Sequence, residues 1–263
     1  MNAWKKTILL LTIVALFISF SGIALTTNAA ENAYDEAAMK VKLAKAHRVL
    51  AMNGHDDWLY GHVSFRVPGT NTFWIKSSLQ SLDSVTADEL LLLDVDCNII
   101  GGSKAGKKHI EAFIHAEVYR ARPDVNAVIH THPPNATALA SRGYMIESLS
   151  NDAVMFINDQ ALYTKTSALI TNADMAADLA KVLGKNRLLL IRNHGIVMVG
   201  DSIEQAVVAA VFLEKAAEFQ VKCLQIGGTK YYATDKEIER SRNNRISQTK
   251  GMYNYLESKV TLD

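Results

Sequence analysis

The chain has 263 residues, of which 49% are hydrophobic and 21% are charged, with 28 basic against 27 acidic side chains. This length suffices for one sizeable core, and the apolar content is typical of a globular protein. The near-neutral balance argues against general nucleic-acid binding, which favours strongly basic chains. Cys97 and Cys223 form no disulfide framework, so we expect free thiols.

The first 29 residues have the three regions of a secretory signal peptide. Lys5 and Lys6 precede an almost wholly apolar run over residues 8–25, and small residues follow at 27–29. The apolar run approaches spanning length, so an uncleaved membrane anchor is the alternative. Both interpretations predict an exported protein, periplasmic or secreted, that contacts a membrane only through an uncleaved signal.

The rest of the chain alternates helical and strand patterns, without an internal repeat or a low-complexity linker. In chain order, the patterns predict a helix over 37–52, strands over 61–67 and 72–76, a strand pair over 90–94 and 98–100, a helix over 111–122, a strand over 125–129, a short helix over 136–141, a helix over 174–183, strands over 187–192 and 196–199, a helix from 201 to about 225, and a polar helix beyond 234. They indicate a single α/β sandwich domain over 37–225 and a C-terminal helical tail over 226–263.

Histidines stand at the ends of two predicted strands. His130 and His132 are two residues apart, so both imidazoles leave the sheet on one face. His194 follows the strand over 187–192 and precedes a glycine that can turn sharply. Three nitrogen ligands with open positions are typical of a catalytic site for a divalent cation.

Glu111 and His115 lie four residues apart on the predicted helix that leads into the His130 strand. They therefore share one helix face, which can lie near the end of that strand. For His115, a structural role is favoured over a contact with substrate or with the metal ligands. His47 and His55 are expected to be solvated or to cap helix ends.

Several motifs together resemble the class II aldolase and adducin family over residues 37–225. They are Glu111 with His115, the run from Arg120 to Asp124, the triplet from His130 to His132, and Asn193-His194-Gly195. The resemblance implies an α/β fold with a central, largely antiparallel sheet flanked by helices. It also implies a homo-oligomer, a tetramer, because family members build the active site between subunits.

The resemblance assigns roles to the residues at the matching positions. His130, His132 and His194 are expected to hold a divalent cation, with zinc favoured and manganese or iron as the alternatives. Glu111 is expected to act as acid and base. Sugar-phosphate members of the family place two serines before this glutamate, where the present chain has His109 and Ile110. A phosphorylated substrate is therefore not expected.

Other family positions point the same way. A Gly-Asn pair of the sugar-phosphate members is replaced by Gly61-His62, and no glycine follows Lys76 at their third phosphate-binding turn. His62, Lys76 and His109 are instead expected to bind a substrate carboxylate. For Lys76, as for Arg66, the alternative is a solvated strand face. The tyrosine of the aldolases has no counterpart near Asn151, which favours the decarboxylase branch.

Combined, these expectations describe an exported, metal-dependent lyase of the aldolase or decarboxylase type. Its substrate would be a small, non-phosphorylated hydroxy or oxo acid that reacts through an enediolate-like intermediate. The alternative is a binding or scaffold protein, since the adducin branch keeps the fold without catalysis. Glu111 favours the enzyme, because a scaffold has no need of a carboxylate beside three metal ligands.

Overall fold

A computed structural model describes residues 34–262, and the predicted signal segment over 1–29 lies outside them. The strands of this part are β1 His62–Arg66, β2 Thr72–Lys76, β3 Leu90–Asp94, β4 Ile99–Gly102, β5 Ala127–Thr131, β6 Gln160–Tyr163, β7 Leu188–Ile191 and β8 Gly195–Gly200. Its α-helices are α1 Glu36–Leu50, α2 Ala112–Ala121, α3 Pro134–Ser141, α4 Ala173–Leu183, α5 Ile203–Gln225 and α6 Asp235–Glu257.

The strands form one sheet in the order β4-β3-β2-β1-β5-β8-β7-β6. Neighbouring strands are antiparallel except β6 and β7, which are parallel. The predicted, largely antiparallel sheet is therefore confirmed. The connection from β6 to β7 contains α4, because a parallel pair needs a long crossover.

Helices cover both faces of the sheet, as predicted for a sandwich. On one face, α1, α3, α5 and α6 bury side chains such as Leu50, Leu139 and Leu213. On the other face, α2 and α4 bury Ile114 and Leu179. The two apolar layers are the expected solution for helices and strands that are apolar on one side only.

The predicted helical tail is α6, which begins with a capping box between Thr234 and Glu237. Its Tyr253 is buried in the same core as α1, and the Tyr253 hydroxyl lies 3.5 Å from the Lys42 carbonyl oxygen. None of the helices between residues 34 and 262 has the length and apolar character that a bilayer span requires. Both cysteines are free, as expected.

The expectation that His47 and His55 are solvated or capping is wrong, since both side chains are buried. Nδ1 of His47 donates to the carbonyl of Leu43 over 2.7 Å, and its Nε2 accepts from the amide of Val63 over 3.0 Å. His55 lies 2.8 Å from the Thr131 hydroxyl and 3.0 Å from a carbonyl of α5. Burial lowers the pKa of His47 to about 3 and that of His55 to about 4. Both rings are therefore neutral, and their hydrogen bonds join α1 and its C-terminal turn to the sheet.

Candidate metal centre

Glu111, His130, His132 and His194 meet at one point of the structure. His130 lies at the end of β5 and His132 just beyond it, His194 lies in the turn between β7 and β8, and Glu111 precedes α2. One ligand atom from each residue can be chosen so that all four atoms lie within 4.8 Å of one another. The structure thus brings together the residues that the sequence proposed for the cation and for proton transfer.

His130 and His132 each use one ring nitrogen for a hydrogen bond to an acceptor outside the cluster. Nδ1 of His130 lies 2.9 Å from the carbonyl oxygen of Ile196, and Nδ1 of His132 lies 2.8 Å from Oδ2 of Asp57. A carbonyl and a carboxylate can only accept, so both Nδ1 atoms carry the hydrogen. Both Nε2 atoms therefore present lone pairs, and they lie 3.3 Å apart.

The turn that carries His194 depends on its two neighbours. Asn193 has a φ of 55°, a left-handed conformation that asparagine tolerates better than most residues. A Cβ atom on Gly195 would lie 2.4 Å from the Thr131 carbonyl oxygen and 2.6 Å from Cδ2 of His132. Only glycine lets the backbone approach β5 this closely. Asn193 and Gly195 together shape the turn that presents His194.

Glu111 lies between two of the three histidines. Its Oε1 accepts from the amide of Ile170 over 2.8 Å and lies 3.4 Å from Nε2 of His194, and its Oε2 lies 3.4 Å from Nε2 of His130. Burial opposes ionisation of this carboxyl, but hydrogen bonds from the rings of His130 and His194, where these carry hydrogen on Nε2, and from the Ile170 amide outweigh it and hold its pKa well below the usual range. Where Nε2 of His130 is unprotonated, a bound cation would take the place of that hydrogen beside the carboxylate. Glu111 is therefore a carboxylate in this arrangement.

The donor set fits a divalent cation. Two imidazole lone pairs that face each other at 3.3 Å repel unless an electrophile lies between them. His194 has neither ring nitrogen hydrogen-bonded, although both are buried. Buried polar atoms rarely lack a partner. A single cation bound between the three rings and the carboxylate would give all of them one. Three imidazole nitrogens and a carboxylate oxygen are ligands that zinc, manganese and iron accept.

His62 and His115 form a second layer behind the cluster. His62 stands opposite His130 on the neighbouring strand, with ring centroids 5.2 Å apart. Nδ1 of His62 lies 2.6 Å from Nε2 of His115, whose Nδ1 lies 2.6 Å from the Ser64 hydroxyl. Ser64 in turn lies 2.7 Å from the Tyr119 hydroxyl. The structural role favoured for His115 agrees with this fully buried chain.

Lys76 and His109 lie on the other side of His62. The His109 ring is 4.4 Å from that of His62, and its Nε2 is 2.9 Å from Nζ of Lys76. Lys76 is fully buried, and Nζ also donates to the carbonyls of Leu59 and Gln80. Burial lowers its pKa to about 7. Direct substrate binding by Lys76 does not fit this structure, because its ammonium is enclosed by protein acceptors. A solvated strand face does not fit either.

Arg66 lies outside the site. Its guanidinium donates to the carbonyls of Tyr119, Arg122 and Val125 at the end of α2. The residue therefore fastens α2 to β1. Neither a solvated face nor a substrate contact describes it.

Sequence reasoning missed Asp57 and Ser64. Asp57 accepts from a histidine 75 positions away, and Ser64 meets a histidine 51 positions away. No local spacing reveals such pairs. The available signal was indirect: metal-binding imidazoles usually donate their second nitrogen to a carboxylate or carbonyl, so a carboxylate near the strand ends was to be expected.

Comparison with known proteins agrees with this geometry. Residues 41–221 match the family model described as the Class II Aldolase and Adducin N-terminal domain. The chain is 29% identical over 206 residues to 3,4-dihydroxyphthalate decarboxylase of Arthrobacter keyseri, covering 73% of this chain and 81% of that protein. It is 30% identical over 207 residues to beta-adducin of Homo sapiens, covering 77% of this chain and 28% of that protein.

The fold also matches solved structures. L-fuculose 1-phosphate aldolase from Glaciozyma antarctica PI12 superposes with a TM-score of 0.73 and 24% identity, covering 85% of this chain and 90% of that one. This structural similarity shows the fold alone. The family model matches residues 41–221, which is most of the chain. The protein therefore belongs to the class II aldolase and adducin N-terminal domain family.

Proposed function

We propose that this protein is a metal-dependent lyase of the aldolase or decarboxylase type. Its substrate would be a small, non-phosphorylated hydroxy or oxo acid, cleaved through an enediolate-like intermediate. One observation carries the proposal: an ionised Glu111 lies within the cluster formed by His130, His132 and His194. A bound divalent cation, zinc being favoured over manganese or iron, would supply Lewis-acid polarisation of a substrate oxygen.

The three histidines would hold the cation and Glu111 would move the proton. Glu111 lies 3.4 Å from the nearest nitrogens of His130 and His194, so a cation bound by these nitrogens would keep it ionised. A substrate oxygen that displaces Glu111 from them would remove the stabilisation of the carboxylate. The proton affinity of Glu111 would then rise, as a group that must take and return a proton requires.

Binding of the acid would fall to His62 and His109. Both rings adjoin the cluster, and each has one ring nitrogen engaged with a protein side chain. His109 and Ile110 precede Glu111, so this position offers no serine hydroxyl for a phosphate. The similarity to a decarboxylase of an aromatic acid supports a carboxylate-bearing substrate.

The test is metal analysis of the purified protein, followed by a screen of hydroxy and oxo acids. We expect about one divalent cation per chain and metal-dependent release of carbon dioxide or an aldehyde. Glu111→Gln should keep the metal and lose turnover. A protein that binds metal but turns over no acid would contradict the lyase proposal.

A scaffold function is the second candidate, because the chain is also similar to beta-adducin. The ionised Glu111 argues against the scaffold function. Burying a carboxylate costs free energy, and a scaffold needs no buried carboxylate. A protein that binds no metal and loses no stability in Glu111→Gln would favour the scaffold.

Export and assembly are further parts of the proposal. The order of basic, apolar and small residues over 1–29 supports export, with an uncleaved anchor as the alternative. Amino-terminal sequencing of the exported protein should begin near Ala30 or Glu31. Membership of the family supports a homotetramer, which sedimentation at micromolar concentration would test; monomer alone would contradict it.

A further inference from the structure

Two histidines beside the cluster each have one ring nitrogen engaged within the protein. His62 uses Nδ1 for His115, and His109 uses Nε2 for Lys76. Nε2 of His62 and Nδ1 of His109 make no hydrogen bond to any residue between 34 and 262. The ring centroids lie 4.4 Å apart, so one small ligand is large enough to reach both rings. Whether each one donates or accepts depends on the partner of the other nitrogen.

The hydrogen position on His109 follows from Lys76. An ammonium group has three hydrogens and no lone pair. Nζ of Lys76 lies 2.9 Å from the Leu59 carbonyl, 2.7 Å from the Gln80 carbonyl and 2.9 Å from Nε2 of His109. The Ser77 carbonyl is a fourth neighbour at 3.4 Å, so the three hydrogens are shared among four acceptors. Below pH 7, where Lys76 is protonated and has no lone pair, Nε2 of His109 can only accept from the ammonium. The hydrogen of His109 is therefore on Nδ1, which becomes a donor.

The hydrogen position on His62 follows from a longer chain. It runs from His62 through His115 and Ser64 to the Tyr119 hydroxyl, which lies 3.4 Å from the carbonyl oxygen of Asn126. The Tyr119 hydroxyl donates to this carbonyl, and with its hydrogen used there Ser64 donates to Tyr119 and His115 donates to Ser64. With this arrangement every hydrogen in the chain points away from the cluster. Nδ1 of His62 then donates to His115, and Nε2 of His62 presents a lone pair.

We propose that His62 and His109 form a pair of opposite polarity that recognises a hydroxyl group next to a carboxylate. The substrate hydroxyl would donate to Nε2 of His62, and a carboxylate oxygen would accept from Nδ1 of His109. Lys76 is a positioning residue that fixes the donor without touching the substrate. The inference rests on the proposed function and narrows its substrate class to hydroxy acids, because an oxo acid has no hydrogen to donate to His62.

Nitrogen-15 NMR of the metal-free full chain tests the hydrogen positions without any turnover. Protonated and unprotonated ring nitrogens resonate far apart, and the spectrum of His109→Asn identifies the His109 signals by their absence. We expect hydrogen on Nδ1 of His109 and Nδ1 of His62. Lys76→Met should turn the His109 signals into a mixture of tautomers, whereas Lys76→Arg should leave them as they are. Hydrogen on Nε2 of His109 in the unsubstituted protein would overturn the proposal, even if Lys76→Met does not fold.

Ligand selectivity is the second test, with three acids as probes for the zinc-loaded protein. Mandelate has the hydroxyl, phenylacetate lacks it, and α-methoxyphenylacetate keeps the oxygen without the hydrogen. We expect mandelate to bind about tenfold more tightly than either, because both other acids leave the buried Nε2 of His62 without a donor. Equal binding of mandelate and α-methoxyphenylacetate would show that His62 is no acceptor.

A matched pair of variants separates the two nitrogens of His109. Asparagine places its amide nitrogen near the position of Nδ1, and glutamine places its amide group near that of Nε2. His109→Asn should bind mandelate within a few-fold of the original affinity, and His109→Gln about tenfold more weakly or worse. The reverse order would refute the donor role of Nδ1. Absence of lyase turnover would refute only the proposed function, since none of these readouts uses it.

Discussion

Asp57 and His132 are joined by a hydrogen bond of 2.8 Å between Oδ2 and Nδ1, across 75 positions of the chain. This bond fixes the hydrogen of the ring on Nδ1 and turns Nε2 towards the metal centre. We predict that Asp57→Ala weakens zinc affinity about 10- to 100-fold. Competition with a chromogenic chelator measures the effect. The neighbouring exposed Asp56 makes a matched control, and equal losses in both variants would contradict the assignment.

Removing any of the three imidazoles should abolish high-affinity metal binding. His130→Ala, His132→Ala and His194→Ala should each purify with strongly reduced metal content, since the two remaining imidazoles make a poorer site. Inductively coupled plasma mass spectrometry of the purified variants gives the occupancy. If all three variants keep full occupancy, the cation binds elsewhere.

Glu111→Gln keeps the shape of the side chain but removes the proton acceptor. Turnover of an identified substrate should fall about a hundredfold or more, as for loss of a general base. Metal content should stay unchanged, which separates proton transfer from cation binding. A variant that loses its metal would make Glu111 a structural ligand, and one with full turnover would remove it from the mechanism.

Gly195→Ala should damage the site through backbone contact alone. The new Cβ would meet the Thr131 carbonyl oxygen and the His132 ring, so β8 must move away from β5. We expect a loss of about 1 to 3 kcal/mol in unfolding free energy, together with weaker zinc binding. Gly251→Ala in α6 is the control, because nothing lies within 4 Å of its added methyl group. Urea unfolding of both variants decides the matter.

Stability should fall in acid because His47 and His55 are buried as neutral rings. Burial lowers their pKa values to about 3 and about 4, below the value of 6.5 in the unfolded chain. Between pH 6.5 and the lowered pKa values, the unfolded state binds more protons than the folded state. The free energy of unfolding is therefore highest above pH 6.5 and declines as the pH falls below it. Each ring contributes about 1.4 kcal/mol per pH unit, so the share of His47 and His55 together is about 2.7 kcal/mol per pH unit. Burial also lowers the pKa values of His62, His109, His115 and His132, and these rings add to the decline in the metal-free protein.

Urea midpoints of the metal-free protein at pH 7, 6 and 5 measure this decline. His55→Gln removes one titrating ring, so its unfolding should take up about one proton fewer between pH 6.5 and 5. An unfolding free energy that does not change over this range would show that the two rings are not buried as neutral groups.

The cluster was accessible to sequence reasoning because its ligands stand at places that local pattern reveals. His130 and His132 have strand spacing, His194 precedes the glycine that its turn requires, and Glu111 begins a helix. Local patterns thus place each ligand at the end of a strand or the start of a helix. The antiparallel pairing of β5 with β8 then brings the strand ends together. The fold class and the site composition therefore followed from short segments.

What escaped prediction depends on long-range contacts. β6 has the half-buried sequence Gln160–Tyr163 without alternation, and it becomes a strand through pairing with β7. Lys76 looked like a solvated or substrate-binding residue, because no pattern shows that carbonyls and a histidine surround its ammonium. His47 and His55 were misjudged for the same reason, since backbone partners satisfy their rings.

The packing of α6 against α1 has a consequence for how the chain folds. Tyr253 reaches Lys42 across 211 positions, and Arg48 donates to the carbonyl of Thr261 near the other end of the chain. Contacts of such sequence separation cost the most loop-closure entropy, and they form slowly. During synthesis, α1 exists long before the residues that cover it. The part of α1 that α6 covers therefore stays uncovered until residues 235–257 have been synthesised, and the core on that side can close only then.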